Sequence, residues 1–197
     1  MCSIFGIFGL QPGDDLGALR RQALECSQRQ RHRGPDWSGV YVDDGAILVH
    51  ERLAIVDPAG GSQPLLSEDG ELALAVNGEI YNHRELKAEL QQPYAFQTGS
   101  DCEVINALYR EDDVESFLNR LNGIFAFALW DRAAGRVIIA RDTIGVCPLY
   151  WGHDSQGRLH QNNPAQVIHS QYSAYAPQGH YSARRKKRSQ AVTNSKR

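Results

Sequence analysis

No stretch of this chain is both long enough and apolar enough to span a bilayer as a helix, so no membrane partner is expected. The opening residues lack a charged stretch followed by an apolar one, and no secretory leader is expected. The four cysteines, Cys2, Cys26, Cys102 and Cys147, contain no C-x-x-C pair. That spacing argues against a metal site of the zinc type and against a compact disulfide framework. A reducing, cytoplasmic setting fits such thiols. Acidic side chains are missing after Asp154. Residues 1–159 hold 14 Lys and Arg against 23 Asp and Glu, a net −9, whereas residues 160–197 hold 7 basic and no acidic side chains, a net +7. The break divides the chain into an expected domain over 1–159 and a basic tail over 160–197. The tail's cluster, Arg184-Arg185-Lys186-Lys187-Arg188, has no interleaved aromatics. It reads as a solvated, poorly ordered segment rather than a nucleic-acid surface.

What is present begins at the second residue. Met1-Cys2-Ser3-Ile4-Phe5-Gly6-Ile7-Phe8-Gly9 predicts a buried strand led by a cysteine. Loss of Met1 would give Cys2 a free α-amine beside its thiol, a nucleophile and a base on one residue. An α-amine titrates at about 7.7–8.0 and a thiol near 8.5, so the pair could work near neutral pH. With Met1 retained, the amine is an amide and the base is lost.

Leu16, Leu19, Ala23 and Cys26 recur at helical spacing and predict a helix over about 15–31, ended by the Gly34-Pro35-Asp36 turn. Strands are expected at about 38–42, 46–52 and 71–76. Ser100 and Glu103 fit a capping box ahead of a helix. Residues 124–130 and 136–141 predict paired strands joined around Ala133-Ala134-Gly135. This order suggests antiparallel sheets covered by helices rather than a βαβ repeat.

Several segments could complete a site around Cys2. Arg52, within His50-Glu51-Arg52-Leu53-Ala54-Ile55-Val56-Asp57, offers a planar fork for a carboxylate, or a surface ion pair with Glu51 or Asp57. Asn77-Gly78 could supply two oxyanion donors, although taken alone Asn-Gly between apolar residues is a hairpin-turn signal. Asp101 could bind an ammonium group, or simply offset a helix dipole. Arg31 to Asp36 reads as scaffold.

Seven stretches, MCSIFGIFG (1–9), RHRGPDWSG (31–39), HERLAIVD (50–57), AVNGEIYNH (75–83), TGSDCEVI (98–105), GIFAFALWD (123–131) and RDTIGVCPLYW (141–151), occur in one order. Together they resemble the glutaminase domain of glutamine-hydrolysing asparagine synthetases, which are class II amidotransferases of the N-terminal-nucleophile hydrolase type. The resemblance implies an α+β fold, a four-layer αββα sandwich of two largely antiparallel sheets. It implies glutamine as substrate, with Cys2 as nucleophile forming a thioester and Asn77 and Gly78 holding the oxyanion. It further implies Arg52 on the substrate carboxylate, Asp101 on its ammonium, and Leu53, Ala54, Ile55, Val56 and Glu79 lining the pocket.

No cofactor is implied for this domain. ATP and Mg would belong to a synthetase domain, whose Ser-Gly-Gly-x-Asp-Ser phosphate loop does not occur in this sequence. The partner implied is a separate synthetase chain or a second copy. After Leu159 the family continues with an aromatic strand and Ser-Glu-x-Lys-Ala-Leu, where this chain reads His160-Gln161-Asn162-Asn163-Pro164-Ala165. The tail therefore reads as a truncation or a shifted reading frame. Two other functions remain in view: a non-catalytic remnant that binds glutamine, and the glutaminase subunit of another amidotransferase branch.

Overall fold

The computed structural model describes residues 1–57, 59–162 and 190–195. Its strands are β1 (Ser3–Phe8), β2 (Trp37–Val42), β3 (Ala46–Arg52), β4 (Leu65–Leu66), β5 (Leu72–Ile80), β6 (Gly123–Asp131), β7 (Arg136–Arg141), β8 (Tyr150–His153), β9 (Leu159–Asn162) and β10 (Gln190–Ser195). Its helices are α1 (Leu16–Gln28), α2 (His83–Ala88), α3 (Val104–Glu111) and α4 (Val114–Arg120). A single 3₁₀ turn, Asp101–Glu103, leads into α3.

Two five-stranded sheets form, ordered β2-β3-β1-β9-β8 and β10-β7-β6-β5-β4, and every strand pairing is antiparallel. The alternation of side chains along each strand divides the apolar residues among three cores. On the first sheet, Phe5, Ile7, Ile47 and Val49 face α1 and meet Leu19, Ala23 and Cys26. On the second, Leu74, Val76, Phe127 and Ile138 face the helices and meet Leu86, Ile105, Leu108 and Phe117. Between the sheets lie Ile4, Phe8 and Leu48 from one side and Ala73, Ala75, Ala126, Ala128 and Trp130 from the other. Three cores separate four layers, so the α+β sandwich expected from the sequence is what forms. The alanines are the small partners that let Phe8 and Trp130 interdigitate at close sheet spacing.

Most elements fall where the periodicity puts them. Helix α1 begins one residue after its cap, Asp15, whose Oδ1 accepts from Ala18 N–H at 2.9 Å. The β6–β7 hairpin turns at the expected residues. Two local signals misled. Asn77-Gly78 is not a turn: it lies inside β5, opposite Ala126 and Phe125, and β5 runs on to Ile80. Ser100 and Glu103 do not cap reciprocally. Ser100 Oγ accepts from Cys102 N–H at 3.3 Å, while the buried Glu103 carboxylate reaches back to Gln97 N–H, Thr98 N–H and Thr98 Oγ1. The boundary read at residue 160 falls inside β9, which pairs with β1 and β8, and residues 190–195 pair with β7 as β10. The basic cluster 184–188 lies outside the described residues.

Candidate active site

Strand register brings Cys2 to its surroundings. Ser3 of β1 stands opposite Glu51 of β3, so Cys2, one residue earlier, reaches the end of β3 where Arg52 and Leu53 follow. Leu53 N–H donates to Cys2 Sγ at 3.3 Å, and the thiol lies 3.6 Å from Leu53 O. Arg33 Nε donates to the Cys2 carbonyl at 3.2 Å, tying the turn after α1 to the same point. That turn runs tight against β3, since a side chain on Gly34 would meet Glu51 O at 2.2 Å. Burial raises the Cys2 thiol above its ordinary pKa. The Leu53 N–H, the positive charge of the chain's amino terminus and Arg52 pull it back only in part. The resting group at neutral pH is the thiol, and an attack by sulfur requires a base.

The opposite wall comes from the outer edge of β5. Its neighbour β4 pairs only with Leu74 and Ala73. Past Leu74 no strand covers this edge among the described residues, and side chains take its backbone groups instead. Val76 N–H donates to Gln63 Oε1 at 2.6 Å, and His50 Nε2 donates to Val76 O at 2.8 Å across the sandwich. Cys102 Sγ lies 3.6 Å from Gly78 O, and Ile80 N–H donates to Asp101 Oδ2 at 2.6 Å. Phe125, opposite Gly78, directs its own N–H and C=O to Asp142, so Gly78 also points away from β6. Among the described residues, the Gly78 N–H is the donor on this edge that no protein acceptor takes. Gly78 is half-buried and lines the pocket, so this N–H is available to a ligand acceptor there.

Glycine is required at this position. Gly78 has φ +151, and a Cβ there would lie 2.1 Å from Ile124 O and 2.5 Å from Phe125 Cα.

Cys2, Arg52, Leu53, Ile55, Val56, Asn77, Gly78, Glu79 and Asp101 all line one pocket that opens to solvent. Of the residues expected at the site, Ala54 alone does not line it; its N–H donates to Asp36 Oδ2 at 2.9 Å. Arg52 is buried and its Nη2 donates to the carbonyls of Val56 and Asp57 at 3.1 and 2.6 Å. The carboxylates weighed as its ion-pair partners are engaged elsewhere: Glu51 accepts from Ser27 Oγ and Ser38 Oγ, and Asp57 from two backbone N–H groups. Asp101 is buried, with one oxygen on Ile80 N–H. Cys102 also lines the pocket, but burial and the neighbouring Asp101 push its thiol well above the usual range, so it is not a rival nucleophile.

Sequence reasoning missed Gln63, Gly61 and Ser100 on the pocket wall, and His50 and Asp57 behind it. The Gly60-Gly61 pair was a visible sign that backbone approaches closely there. Met1 lines the pocket beside Cys2.

The family model for the glutamine amidotransferase domain matches residues 1–183. Among curated proteins, asparagine synthetase B [glutamine-hydrolyzing] of Escherichia coli (strain K12) is 56% identical over 160 residues, 81% of this chain and 28% of that protein. Asparagine synthetase [glutamine-hydrolyzing] 2 of Oryza sativa subsp. japonica is 52% identical over 156 residues, 78% of this chain and 26% of that protein. The chain therefore spans about a quarter of the length of these relatives. Among solved structures, the glutamine phosphoribosylpyrophosphate amidotransferase of B. subtilis aligns with TM-score 0.64 at 24% identity, over 82% of this chain and 41% of that one, which is a likeness of fold. A structure titled as the allosteric regulatory enzyme of purine biosynthesis aligns with TM-score 0.61 at 25% identity over the same shares.

Proposed function

This chain belongs to the glutamine amidotransferase domain family, and from that premise we propose that it hydrolyses glutamine to glutamate and ammonia through a thioester on Cys2. The observation that carries the reading is convergence. Cys2, Arg52, Asn77, Gly78, Glu79 and Asp101 come from separate stretches and meet on one pocket.

With Met1 removed, the Cys2 amine takes the thiol proton, directly or through one water, as the sulfur attacks the side-chain amide carbon. The carbonyl oxygen becomes an oxyanion held by the Gly78 N–H and the Asn77 amide; one such donor is typically worth about 3–4 kcal/mol of barrier. The amine returns its proton to the departing nitrogen, the C–N bond breaks, and ammonia leaves a thioester. Water then gives a proton to the same amine, attacks the thioester carbon, and glutamate departs as sulfur regains its proton. Arg52 holds the substrate carboxylate and Asp101 its ammonium. Charged partners at both ends disfavour ligands that lack either group. The relatives carry the name asparagine synthetase, and we place the released ammonia with an asparagine-forming activity, in line with that name.

The test is glutamate and ammonia release by the purified full chain, together with an intact-mass measurement for Met1. Turnover abolished by Cys2→Ala, and labelling of Cys2 by a glutamine-mimicking electrophile, are expected. Protein that lacks Met1 and binds glutamine but releases no more ammonia than Cys2→Ala would establish a binding module instead.

A further inference from the structure

Asp57 is the single non-glycine residue with positive φ among the described residues, at +47. That conformation disfavours most side chains, and asparagine and aspartate tolerate it best. Strain of this kind persists where the surroundings over-determine it. Here they do. Asp57 Oδ1 accepts from Gly60 N–H at 3.0 Å and Oδ2 from Gly99 N–H at 2.8 Å. Its carbonyl accepts from Gly61 N–H at 2.9 Å and from Arg52 Nη2 at 2.6 Å. The neighbours leave no slack. A Cβ on Gly60 would stand 2.7 Å from Asp57 Oδ2, and one on Gly99 would stand 3.2 Å from the same oxygen. A Cβ on Gly61 would stand 3.0 Å from Arg52 Nη2.

The two halves of Asp57 thus serve two different parts of the pocket. Its carbonyl fixes the guanidinium of Arg52, which extends from the end of β3 in the first sheet. Its carboxylate fixes Gly99, two residues before Asp101, in the segment packed under β5 of the second sheet. Arg52 and Asp101 are the groups read above as gripping the carboxylate and the ammonium of the substrate. An amino acid has a fixed distance between those two groups, so a site that engages both at once must hold its own two partners at a matching distance.

We infer that Asp57 is a positioning residue that sets the separation of Arg52 from Asp101, and through it the selectivity of the pocket for a free α-amino acid. The inference rests on the glutaminase reading for the roles of Arg52 and Asp101. Asp57 acts through these residues and need not touch the substrate.

Calorimetric binding to the full chain carrying Cys2→Ala, which cannot turn over, isolates the effect. Three ligands are compared: glutamine, 5-amino-5-oxopentanoate (glutamine without its α-amine) and 4-aminobutanamide (glutamine without its α-carboxylate). In the parent, each truncated ligand should bind about tenfold or more weaker than glutamine, the scale of one charged hydrogen-bonded contact. Adding Asp57→Ala should weaken glutamine by about tenfold and leave the truncated ligands within a few-fold, because one end can still be held but not both. Asp57→Asn tolerates the positive φ and keeps one acceptor, and it should fall between. Reversible partial unfolding raises every apparent dissociation constant by the same factor, so the ratios between ligands, and not the single values, report on the site.

Equal weakening of all three ligands in both variants, or an unchanged preference for glutamine, overturns the inference. Ammonia release by protein with Cys2 intact and Met1 absent judges the catalytic reading separately. Selective binding that depends on Asp57 but without turnover would sink that reading alone. A parent that shows no preference for glutamine sinks both.

Discussion

Gly78 has no room for a side chain, and the reason is backbone on both counts: the carbonyl of Ile124 and the Cα of Phe125 stand where a methyl group would go. Gly78→Ala should therefore push β5 off β6 at that point and carry the open N–H with it. A stability loss of about 1–3 kcal/mol is expected for such overpacking. Glutamine turnover should fall by about 100-fold or more, the scale of one lost oxyanion donor. Denaturant melts and steady-state kinetics on the same preparation check both numbers. The base makes a second residue-scale prediction. Burial keeps the Cys2 sulfur protonated at neutral pH, so activity should follow the deprotonation of its α-amine. Turnover at low substrate should rise with pH through an apparent pKa of about 8. The wrong sign, a rate that falls over that range, would remove the amine from the mechanism. Protein that retains Met1 should show no such activity.

At the scale of elements, β5 outlasts its partner β4, and the part that outlasts it is where the pocket forms. His50 is the tie that crosses the sandwich to it. It is fully buried, donates to Val76 O, and its pKa is pushed down from 6.5 to about 4, first by burial. A depressed folded-state value means that the unfolded chain binds a proton that the folded one refuses. The stability this neutral histidine helps to hold is full above about 6.5 and is lost as pH falls toward about 4. The loss is on the order of 3 kcal/mol if the whole shift is realised. Stability measured against pH should show that limb, and His50→Gln, which can still donate to Val76 O, should flatten it. The same strand shows what a sequence hides. The β6–β7 hairpin was legible because alternation and turn residues are local properties. Taken alone, Asn77-Gly78 has the local chemistry of a turn. Only the approach of β6, some fifty residues away in the chain, makes it strand. The motif residues that line the pocket could be singled out, because charged and nucleophilic side chains announce chemistry. Gln63, His50 and Asp57 could not, because their side chains bond backbone groups that come near only after folding.

The whole molecule sets one distance that no single element controls. Cys2 stands at the end of β1 in one sheet, and Gly78 lies in β5 of the other. The gap between the proposed nucleophile and the proposed oxyanion donor is therefore the gap between sheets at that end of the sandwich. The central core sets it, and Ala73, Ala75, Ala126 and Ala128 keep it narrow. Ala128→Leu should force the sheets apart by a fraction of the added side chain, at about 1–3 kcal/mol of stability. A catalytic geometry is less forgiving than a fold, since about 1 Å of misplacement can reduce a rate by about 100-fold. Turnover per folded molecule should fall by tenfold or more under conditions where the variant is still almost wholly folded, and glutamine affinity should change less than the rate, because the bonds from Asp57 to Arg52 and Gly99 lie outside the central core. Kinetics alongside a thermal melt separate the two effects. If activity instead fell only in step with the folded fraction, the spacing of the sheets would not be what aligns sulfur with the Gly78 N–H, and the alignment would have to come from the Cys2–Leu53 contact at the end of β3 alone.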